Sequence, residues 1–344
     1  MKIAIASVQS PFVTGGAEYH ANGLLKALKS YGFDADLVTA PFNFGPPKKV
    51  RQSIKYWEKQ NFSRFDSTEI DLVICLKFPT YYLEHENKVL WLLHQHRSVY
   101  DLWDSDKKKG HKFSWYEKIV RSEIKRKDNL YIEKIKKRFT NSENVSRRLL
   151  EYNKIDSSPL YHPPYLKPSP GSFDNYIFCP SRVEPLKRQS LLLDALNISK
   201  CNTKVVFAGT GSQLKSLKKK ANQNGLKDRV VWLGEASHDS MLHHYKNCMA
   251  VFFGPFDEDY GYVTLEAMQA AKPVITCTDS GGPLEFVDHN ETGFVVSPCA
   301  EEIAEIIDCL SLNKNLANKF GRSALEKYNS LNFSWSHVVE NLVY

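Results

Sequence analysis

No stretch of this 344-residue chain approaches the roughly 18 to 20 consecutive apolar residues that would cross a bilayer, so a transmembrane helix is excluded. Cysteine is sparse and scattered: seven, at 75, 179, 201, 248, 277, 299 and 309, with no Cys-x-x-Cys pair. An odd number at such spacing offers neither a disulfide framework nor a zinc site, and a reducing cytoplasm fits best. The opening MKIAIASVQSPFVTGG has an apolar run too short for a signal-peptide core and is expected to be a first buried strand. No solenoid repeat and no low-complexity tract interrupts the chain. No helix-turn-helix, zinc or RNA-binding signature accompanies the net charge of +7, so a nucleic-acid-binding reading rests on charge alone and no nucleic-acid partner is expected.

What is present is an ordinary soluble composition, 42% apolar and 25% charged, in a chain long enough for two domains. Short apolar runs such as KIAIASV, DLVICLKF (71–78) and KVLWLLHQ (88–95) have the pattern of strands covered on both faces of a parallel sheet. Between the first two, QSPFVTGGAEYH reads as a loop and ANGLLKALKSYG as a helix ending at Gly32. A second alternating series runs from YIFCPSRVEPLKRQS through MAVFFGPFDEDYGYVTLEAMQAAKPVITC. The proline-rich stretch IDSSPLYHPPYLKPSPGSFDN is the candidate linker. The expected domains are 1–165 and 166–328, with 329–344 a helix returning to the first.

The charge is localised. Between Asp104 and Arg138 there are thirteen Lys/Arg against six Asp/Glu, and the remainder holds 33 of each sign. Trp115 to Phe139 shows apolar residues at helical spacing with a basic outer face. That segment, 104–138, either rests on anionic lipid or packs its apolar side into the first domain and leaves its basic side solvated.

Three loops carry candidate chemistry. In VVFAGTGSQLKSL, Gly209 and Gly211 follow a strand, but the third glycine of a dinucleotide fingerprint is missing because position 214 is Leu. They still permit close backbone approach to a ligand, or simply make a tight turn. Arg182 and Lys187 flank Pro185 between a strand and a helix, which suits a diphosphate through a guanidinium fork, an ammonium and a helix start. Glu258 and Glu266 lie eight residues apart across Gly261, with the amides of Gly261, Tyr262 and Val263 opening a helix. Two carboxylates serve as the acid and nucleophile of a glycoside hydrolase or as acceptors for vicinal hydroxyls; phosphate-binding cations nearby favour the second, and hence a nucleotide sugar.

These motifs together resemble the retaining glycosyltransferases of family 4, which have the α/β GT-B fold of two facing Rossmann-like domains with a central cleft. EDYGYVTLEAM matches the family's Glu-x7-Glu pattern with Tyr260 in the aromatic place; RVEPLK, FAGTGS, GGPLEFV and TGGAEYHANGLLKAL match its other loops in family order. The resemblance implies that Arg182 and Lys187 bind the donor diphosphate, with the Gly15–Gly16 loop approaching it. It implies that Glu266 holds the ribose hydroxyls and Glu258 those of the transferred sugar. The family's cleft histidine aligns with His94, and His96 is its neighbour. Arg188 departs from the family, which commonly has glycine there, and is expected to add charge near the phosphates.

The implied reaction transfers a hexose from a UDP- or GDP-sugar to a glycan or lipid-linked acceptor in cell-surface polysaccharide or lipopolysaccharide synthesis, without metal or other cofactor. The expected location is the cytoplasm, at the inner face of the cell membrane if the basic segment binds lipid. A nucleotide-sugar 2-epimerase of the same fold is the competing enzyme.

Overall fold

The computed structural model describes residues 1–344, which divide into two compact units: Met1–Tyr165 with Phe333–Tyr344, and Leu166–Asn332. Unit 1 runs β1 (Lys2–Gln9), α1 (Gly16–Ser30), β2 (Asp34–Pro41), α2 (Pro47–Trp57), a short ribbon β3 (Arg64–Phe65) and β4 (Thr68–Glu69), β5 (Leu72–Cys75) and β6 (Lys88–Leu92). It continues with α3 (Asp101–Lys108), α4 (Trp115–Glu133), β7 (Lys137–Thr140), α5 (Glu143–Asn153) and β8 (Ser158–Pro159). The parallel sheet has the order β2-β1-β5-β6-β7-β8. Its strands are apolar on both faces because helices cover both: Ile5, Val73, Ile74 and Leu90 are wholly buried.

Unit 2 repeats the plan: β9 (Asp174–Pro180), α6 (Gln189–Ile198), β10 (Lys204–Ala208), α7 (Leu214–Gln223), β11 (Val230–Gly234), α8 (His238–Asn247), β12 (Cys248–Phe252), α9 (Tyr262–Gln269), β13 (Val274–Cys277), β14 (Gly293–Val296), α10 (Ala300–Leu312) and α11 (Lys314–Ser330). Its parallel sheet has the order β11-β10-β9-β12-β13-β14. The last helix, α12 (Trp335–Val343), belongs to unit 1, where Val338, Val339 and Leu342 enter the core beside Leu24 and Leu28 of α1. Gly23 is what lets it close: a Cβ there would lie 2.4 Å from the Trp335 ring.

Two elements differ from the sequence reading. The first helix begins at Gly16, so Gly16 to His20 form its opening turn rather than a loop; Glu18 closes the turn by accepting from Gly15 N–H at 2.8 Å. The helical periodicity read to Phe139 stops at Glu133, and Lys137–Thr140 is strand, because pairing with β6 (Trp91 opposite Phe139) decides that segment's conformation.

α4 is held in place by its apolar side. Val120, Ile124 and Ile132 are buried, and Asp128, wholly buried among them, accepts from the hydroxyls of Tyr81 (2.8 Å), Tyr82 (2.5 Å) and Tyr100 (2.6 Å). Several of its basic residues are engaged within the unit, Lys127 with Glu58 and Arg121 with Asp104. Lys107, Lys108, Lys109, Lys112 and Lys118 stay exposed, as does Trp115 at 77%. No helix is long and apolar enough to cross a membrane.

Candidate functional site

In open α/β sheets, ligands bind beyond the carboxyl ends of the strands where the strand order reverses. In unit 2 that point lies between β9 and β12. The loop after β9 carries Arg182 and Lys187; the loop after β12 carries Glu258, Tyr260 and Gly261. The two candidate loops, 71 residues apart, are therefore neighbours, and Phe256 N–H donates to the Leu186 carbonyl at 2.8 Å.

Arg182 is exposed, and no hydrogen bond or ion pair within its unit holds its guanidinium. Lys187 closes a single 3-10 turn, Pro185–Lys187, and its ammonium is hydrogen-bonded to Glu258 as an ion pair. One side chain assigned to the diphosphate and one assigned to the sugar thus hold each other. Glu258 is fixed through its backbone as well: it donates to the Ser280 carbonyl and accepts from Gly282 N–H, both at 2.8 Å.

Gly261 adopts φ +90° as the N-cap of α9, with no side-chain cap. The opening amides of a helix have no intrahelical acceptor and form its positive end, so Gly261, Tyr262 and Val263 present a site for an anion. Tyr260 is buried and meets Tyr262 and Phe286 edge to face. One helical turn on, Glu266 is 6% exposed. Burial pushes its carboxyl up to about 7, against the opposing effect of hydrogen bonds from the Tyr245 hydroxyl (2.6 Å) and Leu166 N–H.

The Gly-x-Gly turn after β10 supports the arginine loop. A Cβ on Gly209, at φ +136°, would lie 2.1 Å from the Ser181 carbonyl oxygen, and one on Gly211 would lie 2.3 Å from that of Val183. The close approach these glycines permit is thus to the loop carrying Arg182. Ser212 ties the same two loops, bonding Glu184 through N–H (3.1 Å) and hydroxyl (2.5 Å).

The expectation that Arg188 adds charge near the phosphates does not hold, because its charge is neutralised by Asp279. Its guanidinium makes two 2.6 Å bonds to Asp279, and its backbone takes the left-handed conformation at φ +53°, which explains glycine as the usual residue there.

In unit 1, strand order reverses between β1 and β5, and the Gly15–Gly16 turn follows β1. Glu18, which holds the Gly15 amide, is paired with the buried Lys77 at 3.3 Å. His94, just past β6, is half-buried, with Nδ1 2.7 Å from the Gln95 carbonyl. His96 is buried against Phe78 (centroids 4.9 Å apart), and that burial lowers its pKa to about 4. Of the two histidines, His94 is the more accessible to a ligand.

Sequence reasoning missed Tyr245, Glu184 and Asp279, each acting through a partner distant in sequence. No local motif marks them.

The glycosyl transferases group 1 family profile matches residues 167–327, nearly the whole of unit 2. Unit 2 thus carries the group 1 glycosyltransferase profile. Among curated relatives, the alpha-1,3/1,6-mannosyltransferase ALG2 of Dictyostelium discoideum is 27% identical over 234 residues, 60% of this chain and 55% of that protein. The GDP-mannose-dependent alpha-(1-6)-phosphatidylinositol monomannoside mannosyltransferase of Mycobacterium tuberculosis is 31% identical over 161 residues, 44% of this chain and 42% of that protein. The chain thus matches about half the length of these relatives.

Solved structures extend the likeness in fold across both units. A sucrose-phosphate synthase from Thermosynechococcus elongatus superposes with a TM-score of 0.76 at 16% identity, covering 98% of this chain and 96% of that one. Anabaena HepE in complex with UDP-glucose gives 0.70 at 17%, covering 98% of each. The fold class is GT-B.

Proposed function

We propose that the protein is a retaining glycosyltransferase that moves a hexose from a UDP- or GDP-sugar to a hydroxyl of a glycan or lipid-linked acceptor, in building cell-surface polysaccharide or lipopolysaccharide. One observation carries this reading: Arg182, Lys187, the opening turn of α9 and the buried Glu266 gather where the strand order of unit 2 reverses. Breaking the sugar–phosphate bond develops negative charge on the diphosphate and positive charge at the anomeric carbon. A guanidinium, an ammonium and a helix N-terminus stabilise the first, in the role that a divalent cation plays elsewhere. Transfer therefore needs no metal and no other cofactor.

Donor binding exchanges partners. The diphosphate takes Lys187 from Glu258, and the released carboxylate accepts hydroxyls of the sugar; Glu266 accepts those of the ribose. Gly16 offers backbone N–H groups to a phosphate, and His94 is assigned to the reacting hydroxyl. Gly209 and Gly211 act by seating the arginine loop. The exposed lysines of 104–138 and Trp115 give this enzyme a peripheral contact with anionic lipid at the inner face of the membrane. The mannosyl transfer for which both relatives are named supports a hexose donor.

A thermal-shift screen against UDP- and GDP-sugars tests the donor: a ligand that binds only the native state raises the melting temperature. Transfer in excess EDTA, with the anomeric configuration of the product read by NMR, tests the rest. An inverted product or an absolute metal requirement would overturn those parts. Release of free nucleoside diphosphate only when acceptor is present separates transfer from epimerisation.

A further inference from the structure

Unit 1 contains a cavity of about 270 Å³ beneath the α3–α4 hairpin, opening past the carboxyl ends of β2 and β6. Its floor is Val50, Val99, Val120 and Ile124, all buried. Phe44 and His96 stand on one side with near-parallel rings, centroids 6.4 Å apart, and Trp103, stacked on Phe113, stands on another. An apolar cavity of about 150 Å³ admits a benzene ring. The larger volume here admits a ring or a short branched chain.

The charges lining the cavity are largely engaged. Glu117 accepts from Ser114 N–H and hydroxyl at 2.7 Å, and Arg121 donates to the Val99 carbonyl at 2.9 Å and faces Asp104. Such a floor has little to offer the hydroxyls of a sugar. Outside it, Lys107, Lys108, Lys109 and Lys112 are exposed on the same hairpin, flanking the lining residues Asp106 and His111. A pocket with an apolar floor and a polar rim, beside a cluster of ammonium groups, matches a ligand whose hydrocarbon segment is joined directly to a phosphate.

We propose that this cavity binds the lipid end of the acceptor, with the first carbons of the chain against Val50 and Val120 and the phosphate at the lysines of the hairpin. His96 lines the cavity and lies two residues beyond His94, so the head group of such a lipid is delivered toward the half-buried histidine. That the ligand is an acceptor rests on the glycosyltransferase reading; the binding itself does not.

The test is calorimetric binding of geranyl phosphate to the full chain, with decyl phosphate, geraniol and inorganic phosphate as separate arms and a nucleotide-sugar titration on every sample. Geranyl phosphate binds, and geraniol and inorganic phosphate each bind at least about tenfold more weakly, with an affinity for the lipid phosphate that falls as salt rises. Ser98→Trp, which fills the mouth from an exposed position, abolishes it and leaves nucleotide-sugar binding unchanged; Phe44→Asp does the same should the first variant disturb its turn. Tighter binding of geranyl than of decyl phosphate assigns an isoprenoid chain, the reverse an acyl chain, and either supports the proposal. Absence of lipid-phosphate binding, equal binding of geraniol, or binding that survives both variants overturns it. Failure of nucleotide-sugar binding in the wild type, with lipid binding intact, refutes the donor reading and leaves the cavity assignment standing.

Discussion

Glu266 combines deep burial with a hydrogen bond from Tyr245, and burial dominates, raising its carboxyl to about 7. An unfolded glutamate titrates near 4.3. A carboxyl raised in the native state contributes stability that is complete below about pH 4 and is lost as pH rises through about 7. Glu266→Gln therefore melts closer to wild type, or above it, at pH 8 than at pH 5, where the wild type is relatively favoured. Ribose hydroxyls donate best to the ionised form, so wild-type donor affinity rises across pH 7 while that of Glu266→Gln stays flat. A pH-independent wild type would contradict this assignment. At Arg188 two effects oppose: left-handed backbone costs about 1–2 kcal/mol for a non-glycine residue, and the half-exposed pair with Asp279 returns about 0–1 kcal/mol. Arg188→Gly is predicted to be between equal to wild type and about 2 kcal/mol more stable by denaturant titration, on that balance.

At the scale of elements, loops hold one another. Gly209→Ala and Gly211→Ala would each drive a methyl into a backbone carbonyl, and a backbone cannot swing aside as a side chain does. Each variant is predicted to cost about 1–3 kcal/mol of stability, as overpacking does, and to weaken donor binding by displacing Arg182. Stability and nucleotide affinity measured together check it; lost binding at full stability would instead mark the glycines as direct contacts. In unit 1, His20 and His162 are wholly buried with ring nitrogens 3.1 Å apart, and burial lowers both pKa values, that of His162 to about 3. Depressed histidines contribute stability above about pH 6.5 that is lost as pH falls toward 3, because the unfolded state takes up protons first. His162→Phe is predicted to flatten that acid limb of the stability profile.

These elements also show what sequence reading reaches. Strands such as Leu72–Cys75 were legible because a strand covered on both faces must be apolar throughout. The site loops were legible because a helix start, a positive-φ glycine and a cation pair leave residue types in fixed local order. Lys137–Thr140 was not, since a basic four-residue segment becomes a strand only when β6 lies beside it. Nor was the neutralisation of Arg188 by a residue 91 positions away, the hold of Tyr245 on Glu266, or the pairing of Lys187 with Glu258. Each depends on elements that only the sheet order makes neighbours.

For the whole molecule, each unit has its own core, and the chain's last helix belongs to the first. Val338, Val339 and Leu342 are fully buried there, each worth about 1.5–3 kcal/mol of apolar burial. Removing Phe333–Tyr344 is predicted to melt unit 1 first, leaving the transition of unit 2 in place, which two-phase calorimetry resolves. The group 1 profile over unit 2, the GT-B fold and the pairing of Lys187 with Glu258 support the proposal that unit 2 binds a nucleoside diphosphate sugar where its strand order reverses. Calorimetric titration of the full chain with UDP- and GDP-sugars, beside Lys187→Ala and Glu266→Ala, tests it most directly. The prediction is one nucleotide sugar bound per wild-type chain in EDTA, with affinity at least about tenfold weaker, or about 1.4 kcal/mol, in either variant at unchanged secondary structure. Wild-type affinity in both variants, or no binding of any nucleotide sugar by the wild type, would contradict it.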